Sequence, residues 1–320
     1  MKILIISGFL GAGKTTFIKE MVKRCKGEFA ILENEYSSLD IDSAKLTDNS
    51  DKSKINIWEM TEGCICCSTK GDFATSVLTI ANALDPEYLV VEPSGVGMLG
   101  NVIDNIKQIE YERIGLLAPI TIVDGYNFSS RFDEFKDLYI NQIKFAKTIV
   151  VSKMENTDLS EKSDIETFLK GINDKADILV QHYKDMPDCW WQQLFLKDYD
   201  GNIIQSVKKS EDFFENSDSA EDFETLSIEN MGMLSPEKLI IILEMMLRGE
   251  FGDIVRAKGF LQAGGQNLQF DLAGTKYSVL FLENEVSSKS VFIGKNILRQ
   301  RIRKYFFENS EYVKIRSYSK

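Results

Sequence analysis

Short apolar runs alternate with amphipathic stretches through the first half of the chain. KILIIS, FAILEN, INIWEM, YLVVEP, ITIVDG, TIVVSK and DILVQ have the length and apolar content of strands. Between them TTFIKEMVKRC, TSVLTIANAL, VIDNIKQI and DIETFLKGI space their apolar residues as helices do. Strand and helix taking turns predict an α/β unit built on a mainly parallel sheet. Near Pro187 the alternation stops, and SEDFFENSDSAEDFE, Ser210 to Glu224, carries no lysine or arginine, which predicts a solvated linker or loop. SPEKLIIILEMMLRG then reads as a helix capped by Ser235 with Pro236 in its first turn. Four strand-like runs follow, GFLQA, NLQFDLAG, YSVLFLEN and SVFIG, and a last helix from about Lys295. The expected organisation is an α/β domain over residues 1–205, an acidic linker over 206–224 and a smaller α+β domain over 225–320.

Composition narrows the class. A hydrophobic fraction of 43% and a charged fraction of 27% are those of a globular chain. No apolar run approaches the roughly 20 residues of a membrane span. The apolar start MKILIISGFLGAG has one lysine and runs straight into GKTT, unlike a signal peptide. The expectation is a cytoplasmic protein with no membrane partner. A net charge of -11 argues against nucleic acid as a partner, because binding by counterion release needs a broad basic surface. One local basic cluster, RQRIRKYFF from Arg299 to Phe307, suits a C-terminal helix with a solvated face. Five cysteines, an odd number, without an export signal indicate reduced thiols rather than a disulfide framework.

The chemistry begins at GFLGAGKT, Gly8 to Thr15, which follows the strand KILII and opens a helix: the pattern and context of a phosphate-binding loop, so the fold class sharpens to a P-loop NTPase domain. Gly8, Gly11 and Gly13 let the backbone curl around a β-phosphate with its N–H groups inward, Ala12 lying in the same nucleotide-binding turn. Lys14 reaches the β- and γ-phosphates, Thr15 offers a hydroxyl to Mg²⁺, and Thr16 lies where an α-phosphate oxygen is expected. A metal-assisted phosphate site also needs an acid at a neighbouring strand end. YLVVEPSG offers Glu92 and ITIVDG offers Asp124; Glu92 is preferred because Gly95 follows it and brings an N–H towards the γ-phosphate. Lys14 and Glu92 are the catalytic candidates. For the base, TIVVSKME puts Ser152, Lys153 and Glu155 where an Asn-Lys-x-Asp element is expected, with lysine over the ring and the acid facing guanine, so GTP is the expected nucleotide.

Cys64, Cys66 and Cys67 fall within TEGCICCSTKGD. Thiolates bind soft or borderline metals, and with no second cysteine pair to close a four-ligand structural site the spacing predicts an open, exchangeable one. Zn²⁺ fits, as do Co²⁺ and Ni²⁺. The competing reading, small residues packing a loop, sits poorly with flanking Gly63 and Gly71 and with two adjacent thiols that a strand would point to opposite faces.

Taken in order, GFLGAGKTT, the NEY of LENEYSSLDID, GCICCSTKGD, VVEPSG, TIVDGYNF, RAKGF and FIGKN resemble the CobW-like GTPases. These are metallochaperones of the same P-loop class as the urease and hydrogenase nickel-insertion GTPases. The resemblance covers almost the whole chain, and GCICC is its most specific part. It implies hydrolysis of GTP to GDP and phosphate, and delivery of a transition metal from the Cys-x-Cys-Cys element to a client metalloprotein. It also implies a switch segment at Asn34 and Glu35, with Glu35 near magnesium or the transferred metal, and a Walker B acid at Glu92. The chain departs from the family in having one histidine, His182, in place of histidine-rich tracts, so metal storage is not expected and His182 reads as a loop residue. Two other functions share these motifs in part. One is a nucleotide-gated activator of a metal- or corrinoid-dependent enzyme. The other is a P-loop small-molecule kinase, which needs an acceptor site and a base but no clustered thiols.

Overall fold

The runs KILIIS, FAILE, YLVVE, ITIVD and TIVVS form strands buried on both faces in the computed structural model, which describes residues 1–33, 55–59, 70–111, 113–200, 223–233, 235–282 and 288–307. The chain divides into two units, Met1–Ala220 and Glu221–Lys320. In the first, the strands are β1 (Lys2–Gly8), β2 (Phe29–Glu33), β3 (Ile55–Glu59), β4 (Tyr88–Glu92), β5 (Gly115–Leu116), β6 (Ile120–Asp124), β7 (Thr148–Ser152) and β8 (Asp177–Leu179). They lie in the order β3-β2-β4-β1-β6-β7-β8, with β5 beside β1. All of these pairings are parallel.

Helices cover both faces: α1 (Lys14–Arg24), α2 (Lys70–Ala83), α3 (Leu99–Lys107), α4 (Phe128–Phe132), α5 (Lys136–Lys144), α6 (Leu159–Ile172) and α7 (Asp188–Gln193). Successive strand residues point to opposite faces, and β1 divides accordingly. Leu4 and Ile6 join Phe17, Met21, Phe29 and Trp191 in one core. Ile3 and Ile5 join Leu89, Ile80, Val102 and Phe145 in the other. The short helices α4, α5 and α7 were not expected from the sequence. Among the described residues no helix is long and apolar enough to cross a membrane.

The second unit holds β9 (Glu224–Glu229), β10 (Gly232–Met233), α8 (Pro236–Leu247), β11 (Asp253–Ala263), β12 (Gln266–Ala273), β13 (Lys276–Leu282), β14 (Lys289–Lys295) and α9 (Arg299–Phe306). Its sheet runs β13-β12-β11-β14-β9 with antiparallel neighbours, and β10 adds a parallel pairing to β11. Leu239 and Leu243 of α8 and Ile302 and Phe306 of α9 pack with Phe270 and Phe292 of the sheet. The architecture is thus a parallel α/β unit followed by a smaller α+β unit. Three local details differ from expectation. Ser235 is the N-cap residue of α8, but its hydroxyl caps no backbone N–H and instead bonds the side chain of Glu237. The last helix starts at Arg299 because β14 continues through Lys295. Glu224, read as the end of the acidic linker, begins β9; its carboxylate accepts the Ile297 N–H at 3.2 Å and pairs with Arg299 at 2.9 Å.

Candidate nucleotide site

β1 lies between β4 and β6, so the loop that leaves its carboxyl end is flanked by the ends of both. Ligands of open parallel sheets bind along this edge. Gly8 takes φ +144°, and a Cβ there would stand 2.3 Å from the Ile122 carbonyl oxygen, so no larger residue fits where β1 meets β6. Gly11 and Gly13 also have positive φ, and Gly13 is the N-cap of α1. The Lys14 side chain, 4% exposed, folds over this loop and donates to the carbonyls of Gly8 at 3.1 Å and Phe9 at 3.5 Å. Thr16 is exposed on the first turn of α1. Phe9 stacks on Tyr139 at 5.1 Å and meets Phe135 at 4.9 Å, which ties the loop to α5. Burial drives the Tyr139 hydroxyl pKa upward, so it stays a neutral phenol.

The two candidate acids have different partners. Thr15 donates its hydroxyl to Glu92, with both carboxylate oxygens in reach at 3.1 and 3.2 Å. Glu92 is buried at the end of β4, in register with buried Glu33 of β2. A hydroxyl and a carboxylate side by side are hard oxygen donors, the set that suits Mg²⁺. Asp124 serves the other flank. It accepts from Lys153 Nζ at 2.8 Å and from the side-chain and backbone N–H groups of Asn127 at 2.8 and 3.2 Å. Gly95 closes on the phosphate loop: a Cβ there would lie 2.6 Å from the Leu10 nitrogen.

The expected base-reading residues begin at the last residue of β7. Ser152 is buried and donates its hydroxyl to the Ala12 carbonyl at 2.7 Å, joining this segment to the phosphate loop. Lys153 has φ +62° and is held by Asp124. Glu155 lies 3.2 Å from His182 Nε2, while Nδ1 of the same ring accepts the Lys184 N–H. These residues line one small depression together with Met154, Val180 and Tyr183. The histidine read only as a loop residue therefore orients the acid of the SKME element, a contact that no spacing rule reveals. Asn34, Glu35, Cys64, Cys66 and Cys67 lie outside the described residues. Among the described residues no group of three histidines, cysteines or acids is set to hold a metal.

Residues 2–180 match the family described as CobW/HypB/UreG, nucleotide-binding domain. Residues 223–308 match the cobalamin synthesis protein cobW C-terminal domain. The chain is 24% identical to the zinc chaperone YjiA of Escherichia coli (strain K12), over 95% of this chain and 97% of that protein. It is 24% identical to the zinc-regulated GTPase metalloprotein activator 1 of Dictyostelium discoideum, over 56% of this chain and 45% of that one. The crystal structure of Zn(II)-bound YjiA GTPase from E. coli aligns with a TM-score of 0.47 at 18% identity, covering 95% of this chain and 97% of that chain.

Proposed function

From the premise that the chain belongs to the CobW/HypB/UreG family, a family of GTPases, and carries the CobW C-terminal domain, we propose that it is a GTP-hydrolysing metallochaperone that delivers a transition metal to a client metalloprotein. Zinc is the metal this reading favours, since its relative YjiA is named a zinc chaperone. The observation that carries the reading is the Thr15 hydroxyl on the Glu92 carboxylate beneath a glycine loop that Lys14 crosses.

In this reading the backbone N–H groups of Gly11 to Thr16 hold the phosphates, and Lys14 leaves the Gly8 and Phe9 carbonyls to engage the β- and γ-oxygens. Thr15 and Glu92 would hold Mg²⁺, which would offset the charge gathered on the β- and γ-phosphates. Gly95 presents its N–H to the γ-phosphate. Ser152, Lys153 and Glu155 receive the guanine, with His182 holding Glu155. Water attacks the γ-phosphorus and the bond to the β–γ bridging oxygen breaks, giving GDP and phosphate. Cys64, Cys66 and Cys67, with Glu35, bind the metal that is delivered. Parallel topology supports their closeness to the nucleotide: the segment bearing them leaves the sheet at Glu59, in register with Glu33 and through it with Glu92.

Thermodynamic linkage supplies the test. Zn²⁺ affinity is expected to differ about 5- to 150-fold between the GDP state and the state with a non-hydrolysable GTP analogue. Cys66→Ser and Cys67→Ser are expected to weaken both. Equal Zn²⁺ affinity in the two nucleotide states rejects the delivery cycle, and unaltered affinity in the serine variants rejects the thiol site. Phosphate transferred to a small acceptor, with none released free, points instead to a kinase. A second reading is a nucleotide-gated activator that binds its client without transferring metal; the Dictyostelium relative is named a zinc-regulated GTPase metalloprotein activator, which fits activation of a client by either route. Retention of the metal by this chain after GTP turnover on the client distinguishes it.

A further inference from the structure

The loop that follows β4 is gripped by one side chain from α5. Gln142 is 1% exposed, and its amide nitrogen donates to the carbonyls of Gly95 at 3.2 Å and Gly97 at 3.1 Å. Both donor hydrogens are thus engaged, on either side of Val96. The Gln142 main-chain carbonyl accepts the Thr121 hydroxyl at 2.8 Å, which fixes the grip to β6 beside Ser7 of β1. The turn itself is closed by Gly97 N–H donating to the Ser94 carbonyl at 2.8 Å. On its far side, Gly95 rests against the Leu10 backbone of the phosphate loop. Next along α5, Asn141 accepts the N–H of Gly100 at 3.2 Å, close to the start of α3.

One feature of this amide is unfavourable. Gln142 Oε1 is buried with no hydrogen-bond partner among the described residues, and leaving a buried acceptor unpaired is destabilising. A methionine of similar volume would avoid that penalty, but it could hold neither carbonyl. The donor pair is what the amide contributes here, and it acts on the loop whose Gly95 N–H faces the nucleotide in the reading above. We propose that Gln142 is the positioning residue for γ-phosphate sensing, holding Gly95 and Gly97 so that the loop closes on the phosphate loop in the manner that distinguishes GTP from GDP. Gln142 touches no phosphate; it acts through Gly95. The inference rests on the assignment of Gly8 to Thr16 as the phosphate loop.

The test uses the full chain carrying Gln142→Met, with dissociation constants measured for GDP and for a non-hydrolysable GTP analogue, and free phosphate followed during turnover. GDP affinity is expected to stay within about twofold of the unaltered protein, while the analogue binds about tenfold more weakly and phosphate release slows, as loss of two buried hydrogen bonds implies. Asn141→Leu, which frees only the start of α3, is expected to lower the melting temperature without changing the ratio of the two affinities. If Gln142→Met does not fold, Gln142→Asn, one methylene short of both carbonyls, is expected to give the same split. Equal weakening of GDP and analogue, or no change in either, overturns the proposal and leaves Gln142 a packing residue. Failure of the unaltered protein to bind either nucleotide overturns the phosphate-loop assignment itself, and shows before any substitution is made.

Discussion

The two sheets put their polar residues in different places. In the parallel sheet, β2, β4, β6 and β7 end on buried Glu33, Glu92, Asp124 and Ser152. Parallel strands bring these ends, with Gly8 of β1, to one edge. In the antiparallel sheet polar residues alternate along the strands instead. Arg256 and Lys258 of β11 are interleaved with buried Val255, Ala257 and Gly259, and the Arg256 guanidinium pairs with Asp271 of β12 at 3.1 Å. Neighbouring strands there point opposite ways, so their ends do not converge. The difference teaches that a parallel sheet gathers chemistry from residues far apart in sequence, while an antiparallel one spreads the same residue types over a face.

If that contrast is right, damage to the second core should leave nucleotide binding alone. Phe292, fully buried, meets Phe306 at 5.2 Å and Phe270 at 6.3 Å. Phe292→Ala is expected to destabilise the second unit by about 3–5 kcal/mol in denaturant unfolding, with GTP-analogue affinity unchanged under native conditions. A parallel fall in affinity breaks the comparison. At the polar edge the opposite pattern is expected. Lys14→Ala removes charge-assisted hydrogen bonds of about 1.5–3 kcal/mol, so affinity for a fluorescent GTP analogue should fall roughly tenfold to a hundredfold while the unfolding midpoints move little. Wild-type affinity in that variant removes the phosphate loop from the site.

The smallest effect concerns a titratable group of the first unit that sits in a core. Burial first, and the charge of Asp188 second, push the Cys25 thiol from 9.0 up to about 12. Because the folded-state pKa is the higher one, the stability it contributes is fully present below about pH 9 and is lost as the pH rises towards 12. Alkylation at pH 8 followed by peptide mass mapping should modify exposed Cys189 and spare buried Cys25 in the folded protein. Equal labelling of the two would mean that this core opens readily.

Strands of the parallel sheet such as KILII and TIVV were legible because burial on both faces demands continuous apolar runs. The phosphate loop was legible because its glycines, lysine and hydroxyl are contiguous. The short helices α4 and α5 were not: Phe128 to Phe132 spans five residues, too few for a periodic signal, and the buried face of Lys136 to Lys144 includes the polar Gln142 beside Leu138, Tyr139 and Ile143, which blurs its apolar spacing. Gln142 was missed for another reason. A neutral amide carries no charge pattern, and its partners Gly95 and Gly97 are backbone carbonyls brought to it by the fold. His182 escaped for the same reason, since its contact with Glu155 depends on where β8 delivers the chain. Ser235 was placed at its helix end correctly, yet a nearby carboxyl side chain, Glu237, took the hydroxyl that the capping pattern assigns to the backbone.

The bond from Ser152 to Ala12 has a kinetic consequence. Base and phosphates of a bound nucleotide would be held by two segments fastened to each other, so loosening one end strains the grip on the other. On that reading nucleotide departure is a single concerted event with one barrier, not a stepwise peeling from base to phosphate. A partner that hastens nucleotide departure would then have to loosen both segments together, since freeing one alone leaves the other still fastened through this bond.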